Sequence, residues 1–197
     1  MMTPLLRSAG PLALAAILSG CSLLGGGKTP KVLYDLTPAV ASTGAVARQA
    51  SAGSAITVRV PVVAKELRSI RVPVQVSPTQ VEYVKDMQWV DTPDRLFQGL
   101  VAETIRRTTN RIVLDPQQSG LDPGITLSGE LQQFGFDAQR GRVVARYIGT
   151  IATNGGASVQ SRTFVAEVPA DGTAVTVAPA LNAAANSIAT QVAQWVG

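Results

Sequence analysis

Between residues 125 and 168 lie three successive runs, Ile125 to Phe136, Arg142 to Ala152 and Ser158 to Val168, and in the first the apolar positions fall largely on every second residue. That period belongs to half-buried strands. Gln139-Arg140-Gly141 and Asn154-Gly155-Gly156 separate the runs and supply the positive φ that hairpins need. An antiparallel three-stranded meander is therefore expected. The parity slips between Leu131 and Phe134, which predicts a bulge around Gln132-Gln133.

Upstream, the β-type runs are shorter. Val32 to Leu36 reads as a first strand, and Ile56 to Val63 as a central one with Pro61 near its end. Val72 to Val76 and Val81 to Val84 flank a Ser77-Pro78 turn, and Ile112 to Leu114 runs up to Asp115-Pro116. Ala39 to Ser54, rich in Ala, Ser and Gly without a period, reads as a mobile surface loop.

Two segments change to the helical period. Thr92-Pro93-Asp94 sets a cap, a first-turn proline and a first-turn acid, and Leu96, Phe97, Leu100, Val101 and Thr104 follow on one face to about residue 109. Arg106 and Arg107 fall in the last turn, where positive charge suits the helix dipole; with Arg111 they could also form a lipid-phosphate patch. A second helix is expected from Ala178 to Val196, with Leu181, Ala184, Ala185, Ile188, Val192 and Trp195 at helical spacing. The expected class is α+β: a mixed or antiparallel sheet containing the meander, with two main helices packed on it.

Composition then removes chemistry. The 197 residues contain one cysteine and no histidine, which excludes an internal disulfide, a Cys/His zinc site and an imidazole base. No metal or cofactor is expected. Hydrophobic residues make up 46%, enough for a core, and the formal charge is only +4, too small and too dispersed to argue for nucleic acid. An envelope hydrolase would have to use a Ser/Lys or carboxylate site. Lys65-Glu66 and Asp91 with Asp94 are the small clusters to inspect, and each also reads as a solvated turn or helix cap. Tyr83, Trp89 and Phe134 could form a lipid-contact set, although aromatics at such positions are more often core.

The single thiol lies in the N-terminal segment. Arg7 is the only charge before it, Pro11 to Leu18 is a short apolar run, and Ser19-Gly20 are small. This has the three parts of an export leader, and the run is shorter than the about 20 apolar residues a spanning helix needs. Leu18-Ser19-Gly20-Cys21 resembles a bacterial lipobox. That resemblance implies peptidase recognition through Leu18, Ser19 and Gly20, diacylglycerol on the Cys21 sulfur, cleavage before Cys21 and acylation of the new amine. Two or three chains, at about 0.8 kcal/mol per buried CH₂, would anchor stably. Ser22 after the cysteine suggests sorting to the outer membrane. Gly25-Gly26-Gly27-Lys28-Thr29 looks like the end of a P-loop, but no core strand precedes it and Pro30 interrupts the helix that should follow. The domain expectation is a leader at 1–20, a flexible tether at 21–30 and one body at 31–197.

Tyr34-Asp35-Leu36, Val81-Glu82-Tyr83 with Trp89 and Thr92-Pro93, Leu127 to Phe134, Arg162-Thr163-Phe164 and the alanine-rich helix to Trp195-Val196 occur in order behind the lipobox. In this arrangement the chain resembles the ABC-type transport auxiliary lipoprotein family, the PqiC-like lipoproteins, departing from it in the apolar run Arg71 to Val76. The resemblance implies a non-enzymatic component on the periplasmic face of the outer membrane. Its partners would be an MCE-domain periplasmic protein with an inner-membrane permease and ATPase, and a ring-like homo-oligomer is one arrangement it allows. The alternative is a monomeric lipid-binding carrier, which needs an apolar cavity the size of an acyl chain.

Overall fold

The computed structural model describes residues 32–197 apart from 43, 45, 46 and 123. Cys21, the lipobox residues and the Gly25–Thr29 stretch lie outside the described residues.

The elements are β1 (Ile56–Val58), β2 (Val62–Val63), β3 (Arg71–Ser77), β4 (Gln80–Gln88), α1 (Pro93–Thr108), β5 (Val113–Leu114), β6 (Ile125–Asp137), β7 (Arg142–Thr153), β8 (Ser158–Pro169) and α2 (Ala174–Val196). They form the expected α+β architecture as one eight-stranded mixed sheet carrying two helices. The meander is β6–β7–β8, antiparallel throughout. The Asp137 carboxylate closes its first turn by accepting from the N–H groups of Gln139 (3.0 Å) and Arg140 (3.1 Å). Asn154, Gly155 and Gly156 adopt φ of 52°, 65° and 95° in the second, where glycine is cheap. The bulge stands where parity put it: Leu131 faces Tyr147 and Gln133 faces Arg146, leaving Gln132 as the extra residue. Leu127, Leu131, Phe134 and Phe136 are all thereby buried on one face.

β6 is the hub. One edge carries β7 along its length. The other takes β1 opposite Ile125–Leu127, β2 opposite Glu130–Leu131 and β3 opposite Phe136–Asp137, all parallel. Outside these lie β5, parallel to β1, and β4, antiparallel to β3. The helices cover one face. Tyr147 on β7 stacks between Phe97 of α1 (5.1 Å) and Phe164 of β8 (6.3 Å), and Phe164 meets Trp195 of α2 at 5.6 Å. Each such buried ring or aliphatic side chain contributes about 1.5–3 kcal/mol. Residues of the opposite parity, including Val62, Val159 and Val165, are exposed on the uncovered face.

Four expectations need correction. The strand at Val32 to Leu36 shrinks to one parallel bridge, Tyr34 to Trp89, because the chain is then drawn onto α2 by side-chain hydrogen bonds. The run Ile56 to Val63 splits into β1 and β2 around Pro61, which has no N–H to give the ladder. The strand expected at Val81 to Val84 runs on to Gln88 through an irregularity, with four residues opposite Val72 and Asp86 at φ 55°. Finally, α2 begins at Ala174 rather than Ala178 and accommodates Pro179 within its second turn. Asp171 ties this start: its carboxylate accepts from the Thr173 N–H (2.8 Å), the Thr173 hydroxyl (2.7 Å) and the Thr176 hydroxyl.

The helix start at Pro93 stands, with Thr92 extended at φ −65° and ψ 144°, but the Thr92 side chain makes no cap bond. Asp91 accepts from the Thr92 N–H at 2.7 Å instead.

Candidate functional site

The N-terminal segment enters the body along a built path. Tyr34 donates its N–H to Gln88 O (2.9 Å) and accepts from Val90 N–H (2.9 Å), adding one residue to the sheet beyond β4. Leu36 is buried two residues later. Asn186 of α2 then reads the backbone as a strand partner would: its amide donates to Thr37 O (2.9 Å) while its oxygen accepts from Ala39 N–H (2.7 Å). Asn182, one turn earlier, accepts from Thr37 N–H at 2.9 Å. Arg107 of α1 donates to Val40 O (2.6 Å), and Arg48 donates to Arg106 O. The expected loop at residues 39–54 is thus pinned to both helices. Asn186 is only 8% exposed, and its polar atoms are paired, as burial of an amide requires.

This strap also settles the arginines. Arg106 and Arg107 both bond Glu103, at 3.3 and 2.8 Å, and hold its carboxyl below the usual range chiefly through the Arg107 hydrogen bond. Arg111 donates to Val196 O (2.7 Å) and Ser54 O (3.2 Å), locking the end of α2 to the loop. All three guanidinium groups are engaged within the chain, Arg106 and Arg107 with Glu103 and Arg111 with backbone carbonyls.

Lys65 and Glu66 lie in a short 3-10 turn, Asp91 is engaged at the helix entry and Asp94 sits in the first turn of α1. Among the described residues no cluster of three or more His, Cys, Asp or Glu could hold a metal. The aromatic trio separates: Trp89 and Phe134 pack at 5.8 Å inside the core, whereas Tyr83 lies at the surface under the Arg71 guanidinium, 3.8 Å from its ring centre. The space between helices and sheet, where a carrier would hold an acyl chain, is filled by Phe97, Tyr147, Phe164 and Trp195. An open groove lies on the uncovered face, floored by Gly135 and Val144 and walled by Leu67, Pro73, Gln75 and Gln133. It is lined by both apolar and polar residues, with Glu66 and Asp137 among the latter. Gly135 is required there, since a Cβ would come within 2.4 Å of Pro73 O. Among the described residues no helix is long and apolar enough to cross a membrane.

Sequence reasoning missed Asn186, Asn182 and Asp171. The available signal for the first two was their spacing of four inside an otherwise apolar helical stripe.

Comparison with known proteins adds a family. The model of the ABC-type transport auxiliary lipoprotein component matches residues 34–193, from the Tyr34 bridge to the last turn of α2. Protein XCC0632 from Xanthomonas campestris superposes with a TM-score of 0.68 at 18% identity, over 83% of this chain and 94% of that one. A solved uncharacterized protein superposes with a TM-score of 0.65 at 16% identity, over 84% and 97% respectively. Identities this low speak to the fold. No curated protein matches the sequence.

Proposed function

The chain belongs to the ABC-type transport auxiliary lipoprotein family, and from that membership we propose that it is the non-catalytic docking component of a lipid transporter, anchored on the periplasmic face of the outer membrane through acylated Cys21. Residues 1–20 are the leader, 21–30 the tether and 31–197 the body. The partners are an MCE-domain periplasmic protein and, through it, a permease and ATPase in the inner membrane.

The observation that carries this reading is the strap from Tyr34 to Val40, with Arg48 pinned beside it. A passive adaptor on a tether needs the tether to join its body at a fixed point, and here Tyr34, Thr37 and Val40 are fixed by one sheet bridge and by side chains from both helices. Cys21 and Tyr34 are thirteen residue steps apart, a reach of at most about 45 Å at full extension. The filled interior supports docking over carriage.

The test is fractionation with mass measurement. The wild-type chain is expected in the outer-membrane fraction with an acyl mass on Cys21 and an MCE-domain protein in its pull-down. Cys21→Ser is expected to lose the acyl mass and the membrane association. A free thiol on a soluble wild-type chain would remove the anchor, and stoichiometric co-purified phospholipid on a monomer would favour the carrier.

A further inference from the structure

The two ends of the sheet differ in how they are finished. β8 is twelve residues long and pairs only with β7. Ala170 N–H donates to Gly141 O (3.2 Å), one step beyond the Arg142–Pro169 pair, so the hydrogen-bonded pairs fall on the even-numbered residues of β8. The N–H and C=O groups of Val159, Ser161, Thr163 and Val165 therefore point outward along an unpaired edge. Pro169 occupies the same outward parity, where its missing N–H is harmless. Folded proteins usually blunt such an edge with charges, proline or a bulge, and Ser158 to Ala166 has no proline, no bulge and a single charge, Arg162.

The opposite end is blunted except at one place. β5 is two residues long, and β4 beyond Tyr83 is disrupted by the Val84–Met87 irregularity and covered at Trp89 by Tyr34. Gln80–Tyr83 remains regular. Ala138 N–H donates to Gln75 O (3.0 Å), so Gln75 and Pro73 aim their backbone groups at β6 and Val74 aims at β4, bonding Glu82. Val81 and Tyr83 then point their backbone groups outward.

The side chains agree with the backbone. Glu82 shares a row with Val74, Phe136 and Val143, on the helix-covered side, and Arg162 alternates with Phe164 on that same side. Both are exposed, and among the described residues neither makes an ion pair; Arg162 lies 5.3 Å from the Phe164 ring centre. Setting Glu82 opposite Arg162 in an antiparallel pair places Val81 against Thr163 and Tyr83 against Ser161. Those are the residues with outward N–H and C=O groups on both strands.

From this we infer that copies of the chain join edge to edge, β8 of one with Gln80–Tyr83 of the next, Glu82 of one facing Arg162 of the other. Pairing of β8 with β8 offers no such match, because Glu167, the only acid on that strand, faces the other side and is held by Arg140 and Arg142 at 2.8 Å each. The contact is head-to-tail, and repetition about an axis normal to a membrane brings every Tyr34 to the same side. The inference concerns assembly of the chain itself, and its failure leaves the transport reading to the fractionation test.

The full-length protein carrying Glu82→Cys and Arg162→Cys is the probe. Cα atoms of a non-hydrogen-bonded antiparallel pair lie about 4.5 Å apart, within disulfide range. Oxidation is expected to give a ladder of covalent multimers, absent from either single variant and from the protein with Cys21 alone. Adding Thr163→Pro, which removes an outward donor while circular dichroism stays native, is expected to abolish the ladder. Arg162→Glu is expected to weaken association at least tenfold, with Glu82→Arg restoring it. No ladder from the oxidised double variant, a ladder that survives Thr163→Pro, or cross-linking of Arg162→Cys to a different protein would each overturn the inference.

Discussion

Asn186 and Asp171 show how single polar residues fix what the apolar pattern leaves open. Asn186 substitutes for a strand partner along Thr37–Ala39, so Asn186→Ala leaves a carbonyl and an amide without their bonds. The expected cost is about 1–3 kcal/mol in urea unfolding, with amide exchange at Leu36–Val40 accelerated more than elsewhere. Uniform acceleration would show that the strap is not a separate unit. Asp171 acts through charge at an exposed site. Hydrogen bonds from Thr176 first, and then Thr173, lower its pKa to about 2 from an ordinary 3.8. A carboxyl depressed on folding stabilises the native state above the ordinary value and loses that contribution as the pH falls towards the folded one. The start of α2 is therefore expected to loosen only below pH 3.8, checked by titrating the Asp171 carboxyl by NMR. An unshifted titration would mean that the Thr173–Thr176 knot does not form in solution.

At the scale of elements, the long periodic segments were legible, and the short strands were legible as strands but not in their pairing. β6, β7, β8 and α1 carry enough residues for a period to declare itself, and the bulge followed from one parity slip between Leu131 and Phe134. β1, β2, β3 and β5 are brief, and their parallel placement along one edge of β6 depends on contacts far apart in sequence, which local pattern does not encode. The start of α2 was misplaced because Pro179 imitates a boundary four residues late. Of the candidate site, the lipobox-like stretch Leu18 to Cys21 rests on local residues alone and lies outside the described residues, whereas the strap needed Asn186 and Thr37 to meet across almost the whole chain. The bulge yields its own prediction. Deleting Gln132 leaves Leu131 and Phe134 on the same face with regular alternation, so the meander is expected to survive with its melting temperature lowered by only a few degrees. Deleting Ser128 instead reverses Thr126 and Leu127 relative to Leu131 and is expected to abolish cooperative melting, because a one-residue slip flips side chains between faces. Equal effects of the two deletions would argue against the bulge.

For the whole molecule, the question is whether a sheet covered on one face behaves as one body. α2 is the tie: it packs on β4, β6, β7 and β8 and against α1, so it bridges the meander and the strands gathered on the other edge of β6. It does this without a charged residue from Ala174 to Val196, relying on alanines that let the backbone approach closely and on Leu181, Ile188 and Val192, which are fully buried. The chain has two tryptophans, and they sample distant parts of this assembly. Trp195 closes the aromatic file against Phe164 near the end of α2, while Trp89 packs on Phe134 beside the Tyr34 bridge. In Trp195→Phe the remaining fluorescence reports the strap side, and in Trp89→Phe it reports the helix end. Each variant is expected to lose some stability, since an aromatic pair adds about 0.5–1.5 kcal/mol beyond burial. Within each, however, the fluorescence midpoint in urea is expected to coincide with that from far-ultraviolet circular dichroism, as a two-state transition demands. A Trp195 signal that moves at lower urea than the circular dichroism would mean that α2 peels away first. The sheet would then have to hold its strands without the element that joins them, and the strap pinned to Asn186 would be released at the same step.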